Sequence, residues 1–210
     1  MVHVKSKYRI NLDRLHESET ISYWFGYLKA RAYMFKDRGR LRCRAPISDI
    51  GHLFKLSRTL GTIKMPSKIS SGYGQYAQLI IDSQELCSLL RSYGWDSLPS
   101  DKLDSRHTIR GLLDGGGSVC RNGNGIQSRY RRITFNLKDI SLLKWIMSHL
   151  GNRKICKHHI SWVGARANEI LKLIYLNQSI CLGRKLRSAE LFSVPVASPS
   201  GHLPIYNSYR

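Results

Sequence analysis

The sequence is poor in acid. Its 210 residues hold 14 Asp and Glu against 34 Lys and Arg, a formal net charge of +20. An excess of that size destabilises a free compact chain by self-repulsion and points to a polyanionic partner. A membrane surface is the less favoured polyanion. No basic amphipathic helix or lipidation motif stands out, and no apolar run approaches the roughly 20 residues that span a bilayer. The stretch from Met1 to Lys7 lacks the apolar core of a secretory signal, and a transit peptide removed beforehand is compatible with that. Paired cysteines are missing as well. Cys43, Cys87, Cys120, Cys156 and Cys181 are scattered, the nearest two 25 positions apart, and no Cys-x-x-Cys occurs. This argues against a zinc ribbon or dithiol redox motif. It reads instead as small core residues in a reducing, intracellular compartment, a mitochondrion or chloroplast being compatible with that. Cys156, His158 and His159 read as part of a basic strand rather than as a metal cluster, and no metal site is expected.

What is present is enough for a folded core: 42% of residues are hydrophobic, and the length suits one or two domains. The organising stretch runs from Thr108 to Val119. It begins as an apolar helix and ends in glycines. Gly111 and Gly115 are four apart and share one helical face. Upstream, Gly26 and Ala30 repeat that small-xxx-small spacing. Faces without side chains let two helices meet backbone to backbone. A phosphate-cradling loop is a weak reading of these glycines, because they follow a helix instead of preceding one.

Further periodicities place the remaining elements. Ser18, Glu19 and Thr20 offer caps and early negative charge for a helix running to about Tyr33. In Arg40-Leu41-Arg42-Cys43-Arg44-Ala45 the arginines alternate with apolar residues, so a strand would carry all of them on one face. Guanidinium groups in such a row suit phosphates and guanine edges. Asp49 is expected to cap a helix from Ile50 to Leu60, closed by Gly61. Strands follow near Thr62–Ile69 and Gln75–Ile81, then a capping box at Asp82-Ser83-Gln84-Glu85 before a helix to Tyr93. Trp95 to Arg106 reads as a linker.

The second half repeats the first. Asp49-Ile50 through Leu60-Gly61 recurs as Asp139-Ile140 through Leu150-Gly151, a shift of 90 positions, and Gly111 follows Gly26 by 85. Two copies of one unit form an internal pseudo-dimer. Asn122 to Gly125 reads as a tight turn. In the strand from Tyr130 to Phe135, Ile133 and Phe135 face the core while Tyr130, Arg132, Thr134 and Asn136 face out. A basic strand region spans Lys154 to Val163, and a helix covers Ala167–Leu176.

Gly111-Leu112-Leu113-Asp114-Gly115-Gly116-Gly117 resembles the second signature helix of the LAGLIDADG homing endonucleases and maturases. Gly26-Tyr27-Leu28-Lys29-Ala30-Arg31-Ala32 resembles a worn first one, and Arg184-Lys185 is similar to the family's C-terminal Arg-Lys. The resemblance covers residues 18 to 190. It implies an α+β fold of two αββαββα repeats, forming a basic β-sheet saddle on two central helices, in a monomer with internal pseudo-two-fold symmetry. The corresponding division is a basic arm at 1–17, repeats at 18–103 and 104–190, and a tail at 191–210. Gly26, Ala30, Gly111 and Gly115 become the helix-packing residues.

The resemblance also carries a departure. In the family the eighth signature position is an acid that binds the catalytic metal, and here those positions hold Arg31 and Gly116. Asp114 matches the sixth position and is a candidate remnant or substitute ligand, although local capping or pairing with Arg31 suits it better. Lys185 matches the family's active-site lysine and is expected at a phosphate. Metal-dependent phosphodiester hydrolysis needs hard oxygen ligands, so no cofactor is expected. Mg2+ enters only if the chain is an endonuclease with displaced ligands.

The expected activity is binding of duplex DNA or structured RNA without cleavage. The candidate contacts are Arg40, Arg42, Arg44, Lys64, Lys68, Tyr130, Arg132, Lys154, Lys157, Arg184 and Lys185. The alternatives are a structural RNA-binding protein, as an organellar ribosomal component or a group I intron maturase, and a metal-dependent site-specific DNA endonuclease with displaced ligands.

Overall fold

The computed structural model describes residues 10–15, 17–35, 39–72, 74–122, 130–176 and 179–190. The first nine residues, the Gly123–Gly125 part of the expected tight turn and the 191–210 tail lie outside them. The end of the basic arm is inside and is not free. Ile10 and Leu15 are buried, and the Asn11 N–H donates to the Leu60 carbonyl.

Repeat 1 contains helix α1 (Ser18–Arg31), strands β1 (Ala32–Phe35) and β2 (Arg40–Pro46), helix α2 (Ile50–Thr59), strands β3 (Ser67–Ser71) and β4 (Gly74–Asp82), and helix α3 (Gln84–Ser92). Repeat 2 contains helix α4 (Ser105–Gly116), strands β5 (Gly117–Asn122) and β6 (Tyr130–Asn136), helix α5 (Ile140–Leu150), strand β7 (His159–Val163) and helix α6 (Ala165–Tyr175). Helix α7 (Gly183–Glu190) follows. Both sheets are antiparallel, in the orders β1-β2-β4-β3 and β5-β6-β7. Each repeat has its own apolar core, one built around Leu41, Leu53 and Leu79, the other around Ile133, Phe135 and Ile146. No described helix is long and apolar enough to cross a membrane.

Several boundaries differ from expectation, each for a local reason. Helix α1 stops at Arg31 because Ala32–Phe35 pair with Arg40–Cys43 as an edge strand. That recruits Tyr33 and Phe35 in the conformation aromatics favour. Its first residue follows Glu17, whose side chain makes no cap bond to the helix, and Thr20 instead donates to that carboxylate. The expected linker already contains the start of α4, where Asp104 accepts from the His107 N–H. The expected capping box is displaced by one residue: Ser83 is the cap, accepting from the Leu86 N–H, because Asp82 is engaged by Arg40 and Lys64.

The two repeats are not equal. Strand β4 is covered on its outer edge by β3. Among the described residues its counterpart β7 has no such neighbour, only a bridge between Cys156 and His159. The expected basic strand from Lys154 is therefore a loop and turn, and regular pairing begins only at His159. Lys157 has φ 53°, a left-handed conformation that interrupts a strand.

Helices α1 and α4 cross at the glycines. A Cβ on Gly26 would collide with the Thr108 carbonyl, and one on Gly111 with the Tyr23 carbonyl. A Cβ on Gly115 would lie 2.7 Å from the Ala30 Cβ. The first two obstacles are backbone, so no rotamer change relieves them. Helix α1 is consequently buried all round from Thr20 to Leu28, as expected of a central helix.

Gly111→Leu should force the helices apart. Overpacking of this kind costs on the order of 1–3 kcal/mol or more, and a chain of this size loses roughly 2–4 °C in Tm per kcal/mol. A thermal melt matching that of the parent would show that this contact does not hold the repeats together.

Candidate nucleic-acid interface

The alternation in β2 is realised as predicted. Leu41, Cys43 and Ala45 are buried while Arg40, Arg42 and Arg44 share the opposite face. Across the ladder, Arg40 faces Asp82, Arg42 faces Ile80 and Arg44 faces Gln78. The Arg40 Nε donates to Asp82 at 2.5 Å, and the Lys64 Nζ donates to the other oxygen of that carboxylate at 2.5 Å. Burial alone would raise the Asp82 carboxyl, but these cations outweigh it and hold it below the usual range. The Arg42 guanidinium lies over the rings of Phe35 and Tyr33, 5.2 and 6.0 Å from their centroids, a cation–π arrangement that holds it flat on the sheet. Arg44 donates from Nε to the Gln78 side-chain oxygen at 3.0 Å.

Other expected contacts fall elsewhere. Lys64 precedes β3, in the connection after α2. Lys68 pairs with Ala77, so at period two it belongs to the register opposite the arginines. In the second sheet Arg132 and Asn136 are exposed, in register with Ser118, Cys120 and Ser161 around Thr134. Tyr130 starts β6, with its side chain outside the described set. Lys154 and Lys157 sit in the loop and turn before β7. The outer face of the second sheet is thus hydroxyl-rich, and the cationic row belongs to repeat 1.

The C-terminal Arg-Lys pair is structural. Arg184 donates from two nitrogens to Asp49, at 2.7 and 2.8 Å, which is why Asp49 provides no cap for α2. Its repeat partner Asp139 does cap α5, accepting from Ser141 and Leu142 N–H. Lys185 is 2% exposed, and its ammonium donates to the carbonyls of Leu113, Asp114 and Gly117. Carbonyls at a helix C-terminus lack intrahelical partners and carry partial negative charge, so a buried cation is well placed there. Burial pushes the Lys185 ammonium down to about 7. The buried Lys185 ammonium is spent on these carbonyls, whereas Arg184 stays exposed on one side while paired with Asp49.

Asp114 is the hub of the seam. It accepts from the Tyr23 hydroxyl at 2.8 Å, the Tyr175 hydroxyl at 2.5 Å and the Leu182 N–H at 2.7 Å. The Tyr23 oxygen also meets His52 Nε2 at 2.7 Å. With the hydroxyl proton given to Asp114, that oxygen accepts from the ring. Burial raises the Asp114 carboxyl and depresses His52 to about 3, so the imidazole stays neutral. Asp114 makes no bond to Arg31, contrary to the pairing expected. Its counterpart in repeat 1, Lys29, has the opposite charge and does the analogous job. It donates to the carbonyls of Gly94, Trp95 and Ser97 after α3, at 2.8, 2.7 and 2.6 Å.

These residues do not fit the divalent metal that the fold implies. Arg31 and Gly116 end the two central helices without a carboxylate, and both Asp114 oxygens are already bonded. A side chain at Gly116 would also meet Leu137 at 2.7 Å. Among the described residues no cluster of three or more His, Cys, Asp or Glu could hold a metal.

Two of the buried groups carry weak sequence signals. His52 lies four residues before Leu56, on the inward face of α2. Arg110 is a cation in the apolar part of α4, fully buried, donating to Glu19 at 2.8 Å and the Ile174 carbonyl at 3.1 Å.

No protein-family model matches the chain, and no curated protein matches it. Solved structures do match. The N-terminal LAGLIDADG domain of DUF199/WhiA is 16% identical, with 81% of this chain and 87% of that one covered at a TM-score of 0.53. I-DmoI in complex with DNA and Ca is 16% identical, with 83% and 97% covered at 0.52. Full-length DUF199/WhiA from Thermatoga maritima is 18% identical at 0.50, with 85% of this chain aligned to 62% of that longer protein. The chain has a LAGLIDADG-type α+β fold.

Asp114→Leu should destabilise the protein by about 3 kcal/mol, because it strands hydroxyl and amide donors in the core. Chemical denaturation measures this, and a loss near zero would remove Asp114 from the hub. His52 supplies a pH signature. Its folded value, about 3, lies below the ordinary 6.5, so between them the unfolded chain binds the extra proton. The stability from neutral His52 is complete above that upper value and is lost toward the lower one. The limiting slope is about 1.4 kcal/mol per pH unit, and the raised Asp114 opposes it. The stability difference between parent and His52→Gln should therefore shrink on acidification. A difference independent of pH would mean the imidazole titrates normally.

Proposed function

We propose that this LAGLIDADG-fold chain binds a double-helical nucleic acid on the outer face of its sheets and does not cleave it. The carrying observation is the outward row of Arg40, Arg42 and Arg44, continuous with Arg31 at the end of α1. Positive charge runs along the surface and onto the seam, where a cleaving relative would need carboxylates. The net charge of +20 supports a polyanionic ligand, and the similarly folded I-DmoI has been captured with DNA and Ca. Burial of Asp114 in its hydrogen-bond hub speaks against its being a displaced metal ligand.

A second reading has one observation of its own. Among its described residues repeat 2 has no strand matching β3, which shortens the surface for a second, symmetric half-site. A structural RNA-binding role, in an organellar ribosome or on intron RNA, makes no demand for two equal half-sites. Double-stranded RNA is gripped mainly through shape and backbone.

The test is a salt titration of binding on DNA and RNA in parallel. For Arg40→Ala/Arg42→Ala/Arg44→Ala the slope of log affinity against log salt should fall by up to about 2.7 on duplex DNA, from roughly 0.9 per phosphate contact. Pairing of Arg40 with Asp82 makes a smaller fall the expected result if that pair persists in the complex. The fold should survive, since all three side chains lie off the core. Unchanged affinity on both polymers would reduce the row to a solvated sheet face. With Mg2+ or Mn2+ the bound duplex should remain intact, and sequence-specific cutting would refute the non-cleaving reading.

A further inference from the structure

The outer face of the first sheet holds a cleft of about 410 Å³, within the roughly 300–1,000 Å³ of small-ligand sites. It is lined by Arg31, Arg44, Gln78, Tyr76, Ile69 and Pro46, with no acid on its walls. Cross-strand pairing explains why these residues meet: Pro46 and Ile69 both face Tyr76, and Arg44 faces Gln78. Arg31 enters from the end of α1.

The cleft has two chemically different parts. One is cationic. Arg31 is half-buried and makes no hydrogen bond with the described residues. The acids that could neutralise it are engaged, Asp49 by Arg184 and Asp114 by two tyrosines. Among the described residues Arg44 uses only Nε, on Gln78, which leaves its two terminal nitrogens for an anion. The other part is an apolar and aromatic wall of Pro46, Ile69 and Tyr76. Because the Gln78 oxygen accepts from Arg44, its NH2 group is oriented as a donor at the side of that wall. A phosphate alone would need no apolar wall. A base stacked inside a duplex presents only its edges and could not enter. An unstacked base exposes a face that aromatic side chains bind.

We infer that this cleft receives one unpaired nucleotide of the bound nucleic acid, its phosphate on Arg31 and Arg44 and its base against Tyr76 beside Gln78. The inference rests on the nucleic-acid-binding reading and specifies the form of the ligand. Among its described residues repeat 2 has no equivalent, since Gly116 stands where Arg31 does and no strand matches β3. The nucleotide is therefore taken on one side of the pseudo-two-fold only.

The experiment measures anisotropy of labelled RNA and DNA duplexes. Each is either fully paired or carries a single unpaired nucleotide, at positions tiled along its length. Parent, Tyr76→Ala, Tyr76→Phe and Arg31→Ala are compared. At one or a few positions the unpaired nucleotide should tighten binding to the parent about tenfold, the scale of one base–aromatic stack. Tyr76→Ala should abolish that preference while fully paired duplexes bind as before, and Tyr76→Phe should keep it. Arg31→Ala should weaken the preferred complex and lower its salt slope by somewhat under one unit. Equal binding of paired and unpaired duplexes at every position would overturn the inference while leaving the general nucleic-acid reading standing. So would a Tyr76→Ala loss that is uniform across all of them. Failure of the parent to bind any duplex would overturn both.

Discussion

The structure depends on one close contact, the backbone-to-backbone crossing of α1 and α4. Thr108 and Tyr23 present bare carbonyls where Gly26 and Gly111 present no Cβ, and the pseudo-two-fold axis rotates each of these contacts onto the other. Because the helices touch here, their C-terminal ends at Arg31 and Gly116 lie side by side, and the strands that leave them begin one sheet each. A spacing of even one side chain would separate the two cores and break the surface they jointly present.

Close packing at the crossing also decides what happens to the buried polar groups around it. Tyr23, His52, Asp114 and Tyr175 form one connected chain from repeat 1 into repeat 2, so burial that would penalise each alone is offset by its neighbours. Arg110 with Glu19 and Arg184 with Asp49 add ion pairs that each join one repeat to the other half of the chain. The sixth signature position holds Lys29 in one repeat and Asp114 in the other. Lys29 grips carbonyls and Asp114 grips an N–H, so each anchors the segment that follows the last helix of its own repeat. Opposite charges perform equivalent mechanical work because the backbone offers a group of either polarity.

The same geometry accounts for the division between structural and available charge. On α7, Lys185 is drawn against the end of α4 and fully engaged there, and Arg184 is paired with Asp49 ahead of α2. Arg31 and the β2 row remain on the outer face. A basic composition therefore includes cations that hold the fold and cations left at the surface, among them the arginine row on the first sheet.

Local pattern determined a large part of this. The alternation of Arg40, Leu41, Arg42, Cys43, Arg44 and Ala45 placed the arginines on one face without further information, because a strand has period two. The spacing of Gly26, Ala30, Gly111 and Gly115 marked the crossing, because only missing side chains permit that approach. The shift between Asp49 and Asp139 marked the repeat. Sequence spacing could not say what partner each polar group would meet. Asp49 and Asp139 occupy matching positions, yet one binds Arg184 and the other caps its helix, and the difference is made by a segment 135 residues away. Lys185 looked like a phosphate ligand and Asp114 like a remnant one. The docking of α7 and α6 onto α4 gave both of them buried partners instead. The cleft beneath Arg31 likewise exists only because α1, β2, β3 and β4 converge, bringing together residues as far apart as 31 and 78. Short-range periodicity is fixed by backbone geometry, whereas the partner of a buried charge is fixed by which distant elements pack against it.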